Sequence, residues 1–196
     1  MSKTGTIRTF ICIELPETVQ ALLAEFQKRL KGLGAEVSWV KPSNIHLTLK
    51  FLGDVSEQKL PLICAALEKA AHAIPVMEMQ VRGAGCFPTA RNPRVLWVGI
   101  QPIPSPLRDL VELIEVGLSG NGYAREDRPF SPHLTFGRVK SLRNLQALMR
   151  KMQELDFGGE IVSVRTVTVM RSDLRPAGAV YSPIKVFPLL GKAEHN

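Results

Sequence analysis

A short pattern that occurs twice limits the fold of this chain more than any other feature. The segments I-H-L-T-L at Ile45–Leu49 and P-H-L-T-F at Pro132–Phe136 each place a histidine and a threonine two residues apart. The whole sequence holds only four histidines, so two matching triplets are not expected by chance. The repeat therefore indicates two halves of similar pattern, each contributing the same pair of side chains.

The first copy is predicted to be a β-strand with one polar face and one apolar face. In a strand, side chains at i and i+2 share a face and lie about 6.5 to 7 Å apart. This alternation places His46, Thr48 and Lys50 together on the polar face. The opposite face is expected to join the core, with Ile45, Leu47, Leu49 and Phe51.

The second copy follows the same alternation, with one open question at its end. His133, Thr135 and Gly137 share a face. By the same parity the side chain of Arg138 points away from His133, unless Gly137 forms a β-bulge that turns it back.

Two facing His-x-Thr strands would provide the groups needed to cleave a phosphodiester. Histidine titrates near neutrality, so a facing pair can hold one protonated acid and one neutral base. The hydroxyls of Thr48 and Thr135 would donate to a phosphate between them, and Lys50 would add positive charge. Neither motif has an Asp, Glu or Cys at metal-ligand spacing, so we expect no metal and no cofactor. A single such triplet is more often a packing or surface feature, and the matched pair is what favours catalysis.

Hydrophobic periodicity predicts the other elements and an α+β fold. The predicted strands are Thr6–Leu15, Val37–Val40, Ile45–Leu52, Met77–Cys86, Val95–Gln101, Ser131–Val139, Ile161–Met170 and Ala179–Phe187. The predicted helices are Glu17–Leu33, Gln58–Ala73, Leu107–Leu118 and Asn144–Leu155. A proline cluster at Gln101–Pro106 marks a boundary between halves. Several strands follow one another directly, which favours α+β over a uniformly parallel α/β sheet.

Composition narrows the class of protein without assigning a function. With 45% hydrophobic and 22% charged residues, the chain is expected to be globular, soluble and outside any membrane. Three cysteines without a C-x-x-C pair predict buried, reduced thiols and a cytoplasmic location. The formal net charge of +7 favours a polyanionic partner such as nucleic acid or a phosphorylated metabolite.

The segments around both motifs resemble the two-histidine (2H) phosphoesterase superfamily. W-V-K-P-x-N-x-H-L-T-L-K-F-L-G at Trp39–Gly53 and R-P-F-x-P-H-L-T at Arg128–Thr135 carry the resemblance. Within the superfamily they are similar to the RNA 2′,3′-cyclic phosphodiesterases, also called 2′-5′ RNA ligases. Further similar segments are Arg8–Pro16, Pro93–Trp97 and Phe187–Leu189.

This resemblance implies a bilobal α+β fold with pseudo-twofold symmetry. Two mostly antiparallel sheets flanked by helices would each supply one His-x-Thr strand to a central cleft. Residues 1–196 would form a single domain. Residues 191–196 lie outside the resemblance and are predicted, from their place at the chain end, to be a flexible tail.

The resemblance also implies the reaction. Water would open an RNA 2′,3′-cyclic phosphate to a 2′-phosphomonoester, with His46 as proton donor and His133 as proton acceptor. The reverse reaction would be 2′-5′ ligation. The expected partner is RNA with such ends, tRNA fragments being one candidate, and the expected state is a monomer.

Contacts to the RNA beyond the two motifs are predicted from residue type. The arginines considered for the RNA backbone are Arg8, Arg91, Arg94, Arg128 and Arg138. The aromatic residues considered for base stacking are Phe10, Phe51, Trp97, Phe130 and Tyr181. From these sets, Lys50, Arg138, Arg128, Phe10 and Arg8 are the substrate-binding residues we predict.

Two other functions remain open from the sequence. The same site could act on a small cyclic nucleotide or an ADP-ribose cyclic phosphate. Alternatively, the chain could be a non-catalytic RNA-binding module whose histidines only contact phosphate.

Overall fold

The computed structural model describes residues 5–176 and 178–192, which form nine strands and four helices. The strands are β1 (Thr6–Glu14), β2 (Val37–Trp39), β3 (His46–Ser56), β4 (Met77–Phe87), β5 (Val95–Ile100), β6 (His133–Val139), β7 (Glu160–Val164), β8 (Thr166–Arg175) and β9 (Gly178–Pro188). The helices are α1 (Glu17–Lys31), α2 (Leu60–Ala73), α3 (Ser105–Ser119) and α4 (Leu145–Leu155).

The strands form two half-sheets that meet at one narrow seam. Their order is β7-β4-β5-β6-β3-β1-β8-β9, with β2 pairing to β6, and the pairings are antiparallel. The seam between β6 and β3 consists of the single pair Leu47 and Leu134. The predicted α+β architecture is therefore confirmed, and the two predicted sheets are the two halves of one continuous antiparallel sheet, joined through the middle residues of the repeated motif.

Helix α1 shows how the sequence pattern produces this packing. Val19, Leu23, Phe26 and Leu30 recur at three- and four-residue steps, and all four are buried. The helix begins after Pro16, and its last turn carries basic residues, which interact favourably with the carbonyl end of the helix. It packs against α4, and its Phe26 and Gln27 contact Phe136 of β6, so the helix that follows β1 lies on the half-sheet of β4 to β7.

The predicted strand Ile161–Met170 is wrong, because this segment forms two strands. β7 pairs with β4 in one half-sheet, and β8 pairs with β1 in the other. The buried residues change parity at the break, from Val162 and Val164 to Val167 and Val169. The segment Ile161–Met170 is rich in β-branched residues throughout, so its sequence does not show where the partner strand changes from β4 to β1.

Three smaller predictions can also be compared with the structure. Cys12 is buried as expected, whereas Cys64 and Cys86 are half-buried, and all three are free thiols. The first residue of the predicted tail 191–196 is hydrogen-bonded to the rest of the fold, because the Gly191 amide donates to the carbonyl of Ile74 at 2.9 Å. Residues 193–196 lie outside the described residues. In the part of the chain that the structure describes, no helix has the length and apolar character needed to cross a membrane.

Candidate active site

The two motif histidines are held in the same way. His46 and His133 are the first residues of β3 and β6. The Nδ1 atom of His46 lies 2.9 Å from the carbonyl oxygen of Asn44, and that of His133 lies 2.7 Å from the carbonyl oxygen of Ser131. A carbonyl can only accept, so each Nδ1 carries the hydrogen and each Nε2 is available for chemistry.

The seam sets each histidine across from a threonine. Because Leu47 pairs with Leu134 in antiparallel register, the adjacent positions on the other face bring His46 opposite Thr135 and Thr48 opposite His133. Diagonal neighbours in such a pair are about 7 to 8 Å apart, so we expect the space between the two histidines to hold a phosphate.

These four side chains line one cleft of about 310 Å³, which we call the histidine cleft. Its remaining lining residues are Arg8, Phe10, Val40, Asn44, Phe51, Arg138, Ser172, Leu174, Ala179 and Tyr181. The fold therefore brings together the histidines and threonines that the sequence placed far apart.

A β-bulge in β3 overturns the predicted place of Lys50. Lys50 pairs with Ile11 and Thr48 pairs with Cys12, so β3 has one extra residue, Leu49, between them. Beyond the bulge the alternation is reversed, and Lys50 turns into the core with its side chain 2% exposed. Its Nζ donates to Glu115 of α3, so the prediction that Lys50 shares a face with His46 is wrong.

The same bulge moves Phe51 out of the predicted core face. Phe51 is 48% exposed and lines the histidine cleft. The guanidinium of Arg8 lies 4.6 Å from the centre of its ring. Phe51 is thus an exposed aromatic side chain of the cleft, with the cation of Arg8 stacked on it.

A matching bulge in β6 answers the question left open for Arg138. Gly137 pairs with Leu96 and Thr135 pairs with Trp97, so Phe136 is the extra residue. Arg138 therefore shares the cleft with His133 and Thr135. The two motif strands have the same form, His-x-Thr followed by a bulge and then a cleft residue, which is Phe51 in one half and Arg138 in the other.

Aromatic rings enclose His46. The ring of Phe10 stacks on its imidazole at 4.6 Å, and Tyr181 meets it edge-on at 5.2 Å. Burial lowers the pKa of His46, against the opposite effect of the Asn44 carbonyl. Phe10 is only 3% exposed and lines the histidine cleft, where it packs on His46, and its contact with substrate stays a prediction.

Tyr181 completes this group, because it also meets the ring of Phe10 edge-on at 5.1 Å. Burial raises the pKa of its hydroxyl, while the nearby guanidinium groups of Arg138 and Arg8 act in the opposite direction. A phenol that stays protonated is a hydrogen-bond donor at neutral pH.

His133 has a more open environment. Phe87 meets its ring edge-on at 5.0 Å, and His133 also lines a larger cavity of about 1130 Å³ next to the cleft. Arg128 and Phe130 line that second cavity and not the histidine cleft. Arg91 and Arg94 line neither cavity, and Trp97 packs against Phe87.

Asn44 is a site residue that the sequence analysis did not select. Its carbonyl orients His46, and its Nδ2 donates to the carbonyl of Ala179 on β9 at 2.8 Å. The corresponding carbonyl in the other half is that of Ser131. The sequence could have indicated both residues, because Asn44 and Ser131 each stand two residues before a motif histidine.

The histidine cleft has no carboxylate or thiol among its described lining residues that could bind a metal ion. Among residues 5–176 and 178–192, no group of three or more His, Cys, Asp and Glu side chains is placed to hold a metal ion. The cleft offers imidazole, hydroxyl and guanidinium groups, which suit an anion better than a cation.

Comparison with known proteins identifies the family. A family model described as LigT like Phosphoesterase matches residues 13–97 and again residues 98–181. The chain belongs to the LigT-like phosphoesterase family. Each match contains one His-x-Thr motif, so the two halves are confirmed as repeats of one unit. The division lies inside β5, shortly before the predicted boundary at Gln101–Pro106.

Curated relatives in the LigT-like family are similar over almost the whole chain. The chain is 37% identical over 186 residues to the RNA 2′,3′-cyclic phosphodiesterase of Methanothermobacter thermautotrophicus, covering 93% of this chain and 99% of that protein. It is 34% identical over 175 residues to the protein of the same name from Thermotoga maritima, covering 89% and 91%.

Solved structures agree with the fold. TT0787 of Thermus thermophilus has a TM-score of 0.79 at 29% sequence identity, covering 96% of this chain and all of that one. E. coli LigT complexed with 3′-AMP has a TM-score of 0.76 at 23% identity, covering 94% of this chain and 98% of that one. The bilobal α+β fold predicted from the resemblance is confirmed.

Proposed function

We propose that this chain hydrolyses RNA 2′,3′-cyclic phosphate ends to 2′-phosphomonoesters by histidine acid-base catalysis without a metal. The observation that carries the proposal is the matched pair of histidines, each with Nδ1–H fixed by a carbonyl and each opposite a threonine. The names of the similar proteins support the choice of substrate.

The reaction uses the two Nε2 atoms in turn. The neutral imidazole of His133 accepts a proton from water as the water oxygen bonds to phosphorus. The bond from phosphorus to the 3′ oxygen breaks, and Nε2–H of His46 protonates that oxygen. The products are a 3′ hydroxyl and a 2′-phosphomonoester, and exchange of protons with solvent restores both histidines.

The other cleft residues stabilise charge on the phosphate. The hydroxyls of Thr48 and Thr135 donate to its non-bridging oxygens from the two sides. Arg138 contributes a guanidinium, which can form two parallel hydrogen bonds to phosphate oxygens. Such donors act on the charge that grows in the transition state, where one of them can be worth about 10²- to 10³-fold in rate.

Substrate binding also prepares His46 for its role as acid. Its pKa is lowered by burial, so the empty cleft favours the neutral ring. A bound phosphate places negative charge beside the imidazole, which raises the pKa again. The bound phosphate therefore favours the charged form of His46 that the acid role requires.

The second cavity supports a role in binding the RNA strand. Its lining includes Arg128 and Phe130, which can contact a phosphate and a base. Arg8, stacked on Phe51, would face the terminal nucleotide in the histidine cleft. We place 2′-5′ ligation in the same site as the reverse reaction, with a 5′ hydroxyl in place of water.

We extend the proposal to the setting of the enzyme. It would act as a monomer, with residues 1–196 as one bilobal domain, in the cytoplasm. The three free thiols are compatible with that compartment. Fragments of tRNA with cyclic ends are the substrate we would test first.

The test is product analysis on an oligonucleotide with a 2′,3′-cyclic end, in the presence of EDTA. We expect a 2′-phosphate product and a rate about 10²- to 10⁴-fold lower for His46→Ala and for His133→Ala, with RNA affinity retained. His72→Ala is the matched control, because His72 is exposed on α2.

Three results would contradict the proposal. Weaker RNA binding in the two variants, with no product from the wild type, would indicate a binding module. Equal efficiency on a cyclic mononucleotide would remove the case for RNA. Activity lost in EDTA and restored by a divalent ion would contradict the metal-independent mechanism.

A further inference from the structure

We propose that the Lys50–Glu115 ion pair and the Gln27 amide are positioning residues, each holding the bulge of one motif strand from a helix of the opposite half. This inference rests on the proposed function for its rate measurements. The bulges bring Phe51 and Arg138 into the histidine cleft, so whatever holds them sets the geometry of the cleft.

The ion pair satisfies every donor of the Lys50 ammonium. Its Nζ lies 2.8 and 2.7 Å from the two carboxylate oxygens of Glu115 and 2.9 Å from the carbonyl of Ala124. The side chains of Lys50 and Glu115 are 2% and 8% exposed. An ammonium with three short acceptors and no exposed surface has no donor left for a substrate.

Glu115 also holds the chain that enters the other motif strand. Its Oε2 accepts from the amide of Glu126 at 3.3 Å, and Lys50 reaches Ala124 in the same segment. This segment leads directly to His133. The ion pair therefore joins the strand of His46 to the approach of His133.

Gln27 has the corresponding place in the other half. Its Nε2 donates to the carbonyl of Val40 at 2.7 Å and to that of Phe136 at 2.8 Å. Phe136 is the extra residue of the β6 bulge, and Val40 lies just before the approach to His46. Gln27 is fully buried, and its Oε1 has no hydrogen-bond partner among the described residues.

The two supports are equivalent in the duplicated fold. Gln27 and Glu115 are each the eleventh residue of a 15-residue helix that begins after a proline. Each contacts the bulge of the motif strand in the opposite half and the segment before the other histidine. Burying such polar groups costs stability unless they are satisfied, so a repeated arrangement indicates a use beyond packing.

The experiment compares Lys50→Met with the double variant Lys50→Met/Glu115→Leu. The single variant leaves a buried carboxylate unpaired and is expected to be unstable, whereas the double variant replaces the pair with apolar groups and is expected to fold. For the double variant we expect kcat on the cyclic-ended oligonucleotide to fall about 10²-fold with little change in KM. Lys151→Met is the matched control, because Lys151 belongs to an exposed ion pair on α4.

A second readout does not depend on turnover. We expect amide hydrogen exchange at Leu49–Phe51 to be about tenfold faster in the double variant, with β5 still protected. Wild-type enzyme without activity would contradict the proposed function and leave the exchange measurement to decide this inference. A double variant with wild-type kcat, or with unchanged exchange at the bulge, would overturn it.

The other half gives an independent check. If Gln27 holds Arg138 in the cleft, Arg138→Ala should lower kcat/KM less in a Gln27→Leu background than in the wild type. We expect the fold-reduction in that background to be about tenfold smaller. The same fold-reduction in kcat/KM from Arg138→Ala in both backgrounds would contradict the inference for this half.

Discussion

At the scale of single residues, the site depends on backbone carbonyls that cannot titrate. Asn44 and Ser131 accept from the Nδ1–H groups of the two histidines, and these bonds fix one tautomer for both neutral rings. Only Nε2 then gains or loses a proton during catalysis. The two rings differ in their surroundings, because Phe10 and Tyr181 enclose His46 alone.

This difference predicts how Phe10→Ala changes the titration of His46. Burial favours the neutral ring and lowers the pKa of His46, so removing the stacked ring admits water and should raise that pKa. The pKa can be read from the imidazole proton signals in an NMR titration. The pH profile of hydrolysis should stay bell-shaped, with one of its two limbs moving to higher pH.

Phe10→Leu is the matched control for this titration. Leucine keeps the site apolar, so the pKa of His46 should stay close to that of the wild type. A pKa of His46 that is unchanged or lower in Phe10→Ala would contradict burial as the cause.

At the scale of elements, the two bulges decide which residues face the cleft. The sequence predicted the motif strands and the facing histidines and threonines, because strand alternation is a local property. It could not place Lys50 and Phe51, since a bulge depends on how neighbouring strands pair. Glycine at 137 suggested a bulge in β6, whereas no glycine stands at the β3 bulge.

Gly137→Ala should destabilise the β6 bulge. A Cβ at this position would lie 2.8 Å from Cγ1 of Val37 and 3.4 Å from Cδ1 of Leu96. We expect a loss of about 1 to 3 kcal/mol in the free energy of unfolding, measured in urea.

Two further variants make this prediction specific. Val37→Ala added to Gly137→Ala should restore part of the lost stability, because it removes the closest atom. Gly117→Ala in α3 should instead stabilise by about 0.5 to 1 kcal/mol, since its added Cβ meets only ordinary contacts, 3.5 Å and beyond. Equal losses at both glycines would show that the clash at 137 is not the cause.

At the scale of the whole molecule, the duplication explains which predictions succeeded. Both halves repeat one pattern, so the fold class and the meeting of the motifs could be predicted from sequence and resemblance. The exchange of helices between halves could not, because α1 follows β1 along the chain but packs against α4. The long-range contacts of Gln27 and Glu115 depend on that exchange.

The net charge of +7 predicts a salt dependence that differs between substrates. For a cyclic-ended oligonucleotide, kcat/KM should fall steeply as salt rises, because each phosphate contact on a single strand contributes a slope of about −0.7 in log-log form. For a cyclic mononucleotide the slope should be close to that of one contact. Equal slopes would mean that the enzyme holds only the terminal phosphate.

The narrow seam between β3 and β6 bears on how the product leaves the histidine cleft. Within the described strands only Leu47 and Leu134 pair across it, and each imidazole is carried by its own half-sheet. We expect a small rotation about this pair to widen the gap between the two imidazoles while the hydrogen bonds within each half-sheet stay intact. Such a rotation would let the product, a dianionic phosphomonoester, leave through the opening by which the cyclic phosphate entered.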